Sequence, residues 1–120
     1  MKLFVLVLNK TDALDDLLSR FAADGICGST IIDSTGMVQE LWSSGHDEED
    51  ISFLSGLRSF MDGNESRSGN KTIFCVIRDD QLDTVTTAVT DVVGDLLGES
   101  NTGIMFSIPL DYVCGKGLNK

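Results

Sequence analysis

The residues best suited to chemistry in this chain are one histidine and the acids that follow it. His46 precedes Asp47, Glu48, Glu49 and Asp50, and imidazole and carboxylate groups are ligands for divalent metals. A metal site needs ligands that converge at fixed spacing, and a run of consecutive residues supplies such ligands poorly. We therefore interpret the run as a solvated acidic stretch, with metal binding as the alternative.

Three cysteines, Cys27, Cys75 and Cys114, form no CxxC pair. Free thiols are typical of a reducing compartment, so we expect a cytoplasmic protein. Cys27 is either a reactive thiol or a small buried side chain, and the second case is the commoner one. Cys75 lies inside an apolar run and is expected in the core.

Composition and motifs together argue against several classes of function. The sequence contains no GxSxG, P-loop or HExxH motif, and His46 is the single histidine that could act as a general base. We expect a protein that is not an enzyme. The net charge of −10 argues against a nucleic-acid or anionic-membrane partner. Without an apolar run of about 18 residues, no direct membrane insertion is expected.

The elements that position these residues occur twice in the same order. An apolar run of strand length at residues 3–8 is followed by a helical pattern and a second strand at 30–34. The order returns with a strand at 72–77, a helical pattern and a strand at 104–108. Expected helix boundaries are N-caps at Thr11 or Asp12 and at Asp79 or Asp80, and a stop at Gly25.

Two βαβ units in tandem predict an α+β, ferredoxin-like βαββαβ sandwich in one domain, residues 1–120. In this fold both helices cover one face of the sheet, so a monomer should show a polar opposite face. The runs at 3–8, 73–77 and 104–106 do not alternate and place large apolar side chains on both faces. We therefore expect an oligomer in which a second copy covers the bare face.

A long insertion, residues 39–70, separates the predicted strands 2 and 3. Connections of this length in compact domains are usually functional or disordered. Its apolar residues occur at helical spacing and include Phe53, Leu57 and Phe60, and Trp42 lies near its start. These residues are predicted either to dock a target protein or to pack on their own oligomer.

Four segments of the chain occur in an order known from one family. They read KLFVLVLNKTDALDDLL, GICGSTIIDSTG, DDQLDTVTTAV and GIMFSIPLDYV. In this order they resemble the first strand and helix, a glycine-rich segment, the second helix and the last strand of the nitrogen-regulatory PII signalling proteins. The resemblance covers nearly the whole chain outside the insertion. It implies a homotrimer with a long loop between strands 2 and 3.

The resemblance also implies a ligand site in the cleft between neighbouring subunits, where the family usually binds an adenine nucleotide. Matched position by position, the site residues here are Gly28, Thr30, Gly36, Met37, Gln39, Val76, Thr102 and Gly103. The long loop is then expected to regulate a protein target, a transporter or an enzyme. The residues expected to contact that target are Trp42, Phe53, Leu57 and Phe60.

Several cations that hold phosphate in the family have no counterpart in this chain. Ile104 stands at the place of the phosphate-loop lysine, and Gln39 at that of the loop-root arginine. The C-terminal arginines of the family fall near Gly115 and Gly117. Charge-assisted contacts to phosphate are the strong ones, so we expect a divergent PII-like protein in which the usual ATP and Mg²⁺ site is lost.

Two functions from other classes remain open on the sequence. One is a divalent-metal-binding protein like the CutA group, which shares the trimeric architecture, with His46 as a ligand. The other is a structural oligomeric module that binds no small ligand.

Overall fold

The computed structural model describes residues 1–37, 40, 41, 69–98 and 102–115. These residues form strand β1 (Lys2–Leu8), helix α1 (Leu14–Ala23), strands β2 (Ser29–Ser34) and β3 (Asn70–Ile77), helix α2 (Leu82–Val93) and strand β4 (Gly103–Pro109). Short 3₁₀ turns, Thr11–Ala13 and Asp79–Gln81, precede the two helices. The described elements follow one another in the order that the sequence predicts, although each strand is one or two residues longer than predicted.

The four strands form one antiparallel sheet in the order β2-β3-β1-β4. The central strand β1 pairs with β3 on one side and with β4 on the other. Thr30, Phe74, Val5 and Phe106 are aligned in one row across all four strands. The architecture is α+β and is compatible with a ferredoxin-like fold.

One face of the sheet forms the hydrophobic core with the two helices. Alternate residues of a strand point to the same face, and Phe4, Leu6 and Leu8 of β1 are all fully buried. With them pack the following residues of β3, α1 and α2: Ile73, Cys75, Ile77, Leu17, Phe21, Val85, Ala88, Val89 and Val93. The helical spacing of the apolar residues in the sequence therefore identifies the buried sides of α1 and α2.

The opposite face, which we call the open face, carries the other residues of each strand. It consists of Leu3, Val5, Val7, Thr30, Ile32, Thr72, Phe74, Val76, Ile104, Phe106 and Ile108. None of these side chains is charged, and Ile32, Ile104, Phe106 and Ile108 are 45–60% exposed. Val5, in the middle of this face, is only 4% exposed, and its register partners on the two sides are Phe74 and Phe106. The prediction of apolar side chains on both faces is confirmed.

The end of α1 is built as the sequence predicts. Gly25 has φ +86°, a left-handed conformation that glycine adopts without steric cost. The Ile26 N–H donates to the Phe21 carbonyl at 2.7 Å and the Gly25 N–H to the Ala22 carbonyl at 3.1 Å. These two bonds form a Schellman motif, and the buried Ile26 packs in the same core as Phe21.

The starts of the helices differ from the prediction. No side chain caps the first 3₁₀ turn, whose N-cap position is Lys10 rather than Thr11 or Asp12. At the second turn Arg78 is the N-cap residue, and its N–H donates to the Gln81 Oε1 atom at 2.9 Å. Asp79 and Asp80 therefore lie inside the turn. Their negative charges interact favourably with the positive end of the helix dipole, but neither side chain is the N-cap.

Candidate functional site

A pocket of about 580 Å³ opens where β2 ends and β3 begins. It is lined by Thr11, Asp33, Ser34, Thr35, Gly69, Asn70 and Lys71, a set in which glycine is the only residue without a polar side chain. Its volume lies within the range of small-molecule sites, about 300–1,000 Å³. We call it the strand-end pocket. Because its lining is polar, it is suited to a ligand with several hydrogen-bonding groups.

A hydrogen-bond network forms one wall of this pocket. The Ser34 hydroxyl contacts Thr72 Oγ1 at 2.7 Å and donates to the Asn70 side-chain carbonyl. The Asn70 amide in turn donates to Asn9 Oδ1 at 3.3 Å, which ties β3 to the end of β1. No buried side-chain nitrogen or oxygen in the described residues is without a partner. The wall is thus held in place by its own bonds.

The charges at the pocket belong to one ion pair. Lys71 and Asp33 are register partners on β3 and β2, and the Lys71 ammonium donates to the Asp33 carboxylate. The Asp33 side chain is 85% exposed and that of Lys71 33%, so the pair is screened by solvent and contributes at most about 1 kcal/mol to stability. Lys71 is the one cation among the described lining residues, and its charge is balanced by Asp33.

Gly36 and Met37, two of the predicted site residues, lie beside this pocket. A Cβ atom on Gly36 would come within 3.7 Å of the Asn70 amide nitrogen. Met37, Glu40 and Leu41 are helical, and the Glu40 N–H donates to the Gly36 carbonyl at 3.0 Å. Thr35 Oγ1 donates to Glu40 Oε1 at 2.6 Å. The predicted root of the long loop therefore begins as a helical turn, with the Met37 side chain 69% exposed.

The three predicted residues Gly28, Thr30 and Val76 lie away from the pocket. Thr30 and Val76 belong to the open face, where Thr30 faces Phe74 and Val76 faces Leu3. Four residues of strand separate Thr30 from Ser34, a distance of about 13 Å. Gly28 precedes β2 and is half-buried. Within one chain these residues do not share a site with Gly36 and Met37.

Thr102 and Gly103 have a structural explanation. Thr102 is buried, and its carbonyl accepts the N–H groups of Asn9 and Lys10 at 3.0 and 3.2 Å. Gly103 has φ +154°, and a Cβ atom there would lie 2.5 Å from the Val7 carbonyl oxygen. Both residues close the pairing of β4 with β1, and on the single chain β4 lies at the edge opposite to β2.

The other predicted contacts lie outside the described residues. They are Gln39 of the ligand site, the metal candidate His46 and the loop residues Trp42, Phe53, Leu57 and Phe60. Within the described ranges, no group of three or more His, Cys, Asp or Glu side chains could hold a metal ion, and no helix is long and apolar enough to cross a membrane.

The cysteines divide into two exposed residues and one buried residue. Cys27 and Cys114 are exposed, so the preference for a buried Cys27 is wrong: its side chain leaves the core between the buried Ile26 and the start of β2. Cys75 is fully buried, as predicted, and its sulfur lies 2.9 Å from the Ser29 hydroxyl. Burial raises the pKa of the Cys75 thiol, and the hydrogen bond to Ser29 offsets part of that rise.

A smaller depression of about 300 Å³ lies between the helices and is lined by Arg20, Asp24, Asp83, Thr84 and Thr87. The Arg20 guanidinium donates to Asp24 at 2.9 Å and to Asp91 at 3.0 Å. Hydrogen bonds to these two carboxylates raise the pKa of Arg20. The Arg20 guanidinium thus forms surface ion pairs, and the pair with Asp91 joins α1 to α2. We assign Arg20 a structural role.

The most informative pocket residues, Asp33, Ser34, Asn70 and Lys71, are not among the predicted site residues. The first two residues lie more than 30 positions before the last two in the chain, and only the antiparallel pairing of β2 with β3 brings the two pairs together. The sequence holds one weak signal for this pocket. Polar residues lie between the predicted insertion and the apolar strand at each of its two ends.

The comparisons with known proteins add no family to this description. A scan against models of protein families finds no match, and a search of curated proteins finds no significant match.

Proposed function

We propose that this chain is a divergent PII-like signalling protein with a ferredoxin-like fold and a long insertion between β2 and β3. In this proposal it forms a cytoplasmic homotrimer, binds a small molecule near the subunit boundary and regulates a partner protein through the insertion. The family resemblance suggests the role, and the position of the strand-end pocket is the observation that carries it.

The strand-end pocket lies at both ends of the connection between β2 and β3. Thr35 and Gly69, the first and last residues of that connection, both line it. A ligand in the pocket therefore contacts the two points from which the insertion departs. A ligand that binds one conformation of the insertion better than another shifts the population toward it, which links occupancy of the pocket to recognition of a partner.

The open face supports the oligomer. Its four half-exposed large side chains each show on the order of 100 Å², so the patch of roughly 400 Å² is as large as the functional patches of soluble proteins. Burial of this area contributes about 10 kcal/mol per copy before the cost of association is subtracted. In a chain of net charge −10, an uncharged face is also the surface on which copies approach with the least repulsion.

The charges of the pocket limit the kinds of ligand that it can bind. Lys71 is neutralised by Asp33, and the chain as a whole is strongly negative. Polyphosphates meet an unfavourable field here, since none of the described lining residues is an unpaired cation. We expect a ligand of low net charge, so that among adenine nucleotides AMP binds more tightly than ATP.

A thermal-shift panel tests the sensor. The purified protein is heated with ATP, ADP, AMP, cyclic di-AMP, bicarbonate, 2-oxoglutarate and divalent metals, each in excess. A ligand at a hundred times its dissociation constant stabilises the folded state by about 2.7 kcal/mol, which raises the melting temperature by several degrees. Absence of any shift across the panel contradicts the sensor.

A matched pair of variants tests the pocket as the site of any such ligand. Lys71→Met removes a cation that the structure describes in the lining, and Lys2→Met removes a lysine from the opposite end of the sheet. Loss of a hydrogen bond to a charged group weakens binding by about 10- to 100-fold, so Lys71→Met should lose about half of the shift or more, and Lys2→Met none. Equal shifts in both variants would place the ligand elsewhere.

The insertion is tested with the same ligand. Limited proteolysis is run on the protein with and without the compound that shifts its melting temperature. The proposal expects the ligand to change the rate of cleavage within residues 42–68, and an unchanged rate contradicts coupling between pocket and insertion.

A structural oligomeric module is the second candidate, and one observation favours it. Thr102 and Gly103 have full structural explanations in the pairing of β4 with β1. Light scattering that shows an oligomer, together with a silent ligand panel, supports this candidate over the sensor.

A further inference from the structure

The two sides of the strand-end pocket differ in hydrogen-bonding character, and the side at the end of β2 consists of acceptors. The Asp33 carboxylate has lone pairs beyond the one that the Lys71 ammonium occupies. Thr35 Oγ1 directs its proton to Glu40 Oε1 at 2.6 Å, so toward the pocket this oxygen can only accept a hydrogen bond. The β2 side is therefore suited to a cationic donor such as an ammonium group.

The side of the pocket at the start of β3 consists of donors. The Lys71 ammonium carries more N–H groups than its bond to Asp33 uses. The Asn70 side-chain carbonyl accepts from the Ser34 hydroxyl, which fixes the orientation of the amide, and the amide nitrogen donates to Asn9 at 3.3 Å. Because an amide nitrogen has a second N–H, this contact leaves a donor. The β3 side is therefore suited to an anionic acceptor such as a carboxylate.

A ligand with charge of a single sign uses only one side of this pocket. An anion beside Lys71 also meets the Asp33 carboxylate and the field of a chain of net charge −10. A cation beside Asp33 meets the Lys71 ammonium in the same way. The described lining residues include no aromatic side chain, and aromatic side chains provide the stacking by which proteins hold nucleobases. A small ligand that carries both charges therefore matches the described lining best.

We propose that the strand-end pocket binds a small zwitterion, an α-amino acid whose side chain is polar like the described lining. Its ammonium group donates to Asp33 and Thr35, and its carboxylate accepts from Lys71 and Asn70. The two charged groups of an α-amino acid are attached to the same carbon, so they can lie against an ion pair whose own groups are in contact. The proposal rests on the proposed function, since it names the ligand class of the same pocket.

This ligand acts on the start of the connection between β2 and β3 through Thr35. The Thr35 hydroxyl donates to Glu40, whose N–H donates to the Gly36 carbonyl at 3.0 Å. Hydrogen bonds that form a chain polarise and strengthen one another, so an ammonium group on the Thr35 oxygen strengthens the bond to Glu40. Occupancy of the pocket thus stabilises the helical turn with which the connection begins.

Compounds that differ by one charge test the ligand class on the unaltered protein. Melting temperatures are measured with serine, threonine, asparagine and glutamine, and then with two analogues of the amino acid that gives the largest shift. One analogue is the amine that lacks the carboxylate, and the other is the acid that lacks the ammonium group. We expect the amino acid in large excess to raise the melting temperature by several degrees, and each analogue at the same concentration to lose most of that shift. An analogue that shifts it as much as the amino acid does overturns the proposal.

Asp33→Asn distinguishes a zwitterion from an anion by the sign of its effect. The variant weakens the acceptor for the ammonium group and releases Lys71 from its ion pair. In calorimetric titration the amino acid should bind about 10- to 100-fold more weakly, whereas a singly charged anion would bind more tightly. Asp111→Asn removes the same charge from an exposed residue beyond the far end of β4 and should leave the affinity unchanged. Unchanged or tighter binding of the amino acid by Asp33→Asn overturns the proposal.

The outcomes also separate this inference from the proposed function. A shift with AMP or another compound of the thermal-shift panel, but with none of the amino acids, overturns the zwitterion and leaves the sensor in place. Absence of a shift with every compound contradicts both. An amino acid that binds without changing the cleavage of residues 42–68 supports the zwitterion and contradicts the coupling to the insertion.

Discussion

Among the described glycines, Gly103 is the one at which an added Cβ atom would meet a backbone atom most closely. A Cβ atom there would lie 2.5 Å from the Val7 carbonyl oxygen, and its φ of +154° is one that other residues rarely adopt. Gly25, at φ +86°, has no atom within 4 Å of the same position. Substitution of Gly25 therefore measures the cost of an unfavourable backbone angle alone, and substitution of Gly103 measures that cost together with a steric clash.

We expect Gly103→Ala to lower the free energy of unfolding by about 2–3 kcal/mol and Gly25→Ala by about 1 kcal/mol. Urea denaturation of both variants checks the difference, since only the Gly103 variant must move β4 away from β1. Equal losses would mean that β4 shifts easily and that the close approach to Val7 does not constrain it.

Cys75 makes stability depend on pH in the alkaline range. Because burial raises the pKa of its thiol, the unfolded chain loses this proton at a lower pH than the folded chain. The stabilisation is therefore fully present below the ordinary thiol pKa of about 8.5 and decreases as the pH rises above it.

We expect the free energy of unfolding to fall more steeply between pH 8 and 10 in the wild type than in Cys75→Ala, measured by urea titration at each pH. All other groups are common to both proteins, so the difference between the two slopes isolates Cys75. As a control on burial, a thiol reagent should modify the exposed Cys27 and Cys114 in the folded protein and Cys75 only after unfolding. Parallel slopes would contradict the burial of the thiol.

At the scale of the element, Gln81 rather than an aspartate starts α2. The Gln81 side chain accepts the Arg78 N–H at 2.9 Å and is itself buried. Asp80 accepts a hydrogen bond from the exposed Arg78 guanidinium at 3.0 Å, a surface ion pair of small net value.

Gln81→Ala should therefore destabilise the protein by about 1–2 kcal/mol, because it removes a cap and leaves a backbone N–H without a partner. Asp80→Ala should cost less than about 0.5 kcal/mol. Thermal unfolding of the two variants shows which substitution destabilises the protein more. A larger loss of stability for Asp80→Ala would support an aspartate N-cap, as predicted from the sequence.

At the scale of the whole molecule, the open face separates an oligomer from a monomer. Phe106 is 45% exposed on that face, whereas Leu97 is 99% exposed near the end of α2. A lysine in place of Leu97 costs a monomer little because that side chain already meets water, whereas a lysine in place of Phe106 removes apolar surface next to Val5 but leaves its charge in water. In the proposed oligomer, Phe106→Lys buries a charge at a subunit boundary, which is expensive without a partner.

We expect Phe106→Lys to lower the apparent mass in size-exclusion chromatography with light scattering, and Leu97→Lys to leave it unchanged. Retention of the wild-type mass by both variants contradicts an oligomer that buries the open face. A monomeric wild type contradicts the oligomer altogether.

Particular elements show how much of this protein could be predicted from its sequence. The order of strands and helices, the stop of α1 at Gly25 and the apolar character of both sheet faces follow from the spacing of apolar residues and from backbone preference. These are relations between near neighbours in the chain, so periodicity records them. The N-caps were predicted wrongly, because at the second turn the side chain of Gln81 bonds the Arg78 N–H in place of an aspartate cap and at the first turn no side chain makes a cap. Residue type alone does not decide which side chain caps a helix.

The tertiary structure alone decided where the candidate site is. Asp33 to Thr35 and Gly69 to Lys71 become one pocket because β2 pairs with β3 in a particular register, and Gly103 is confined because β4 lies beside Val7. Strand order and register are contacts between residues far apart in the chain, and the pattern of apolar residues within each strand fits several of them equally well. The sequence thus determined the elements and their faces by itself, while the pairing of those elements determined which polar groups meet.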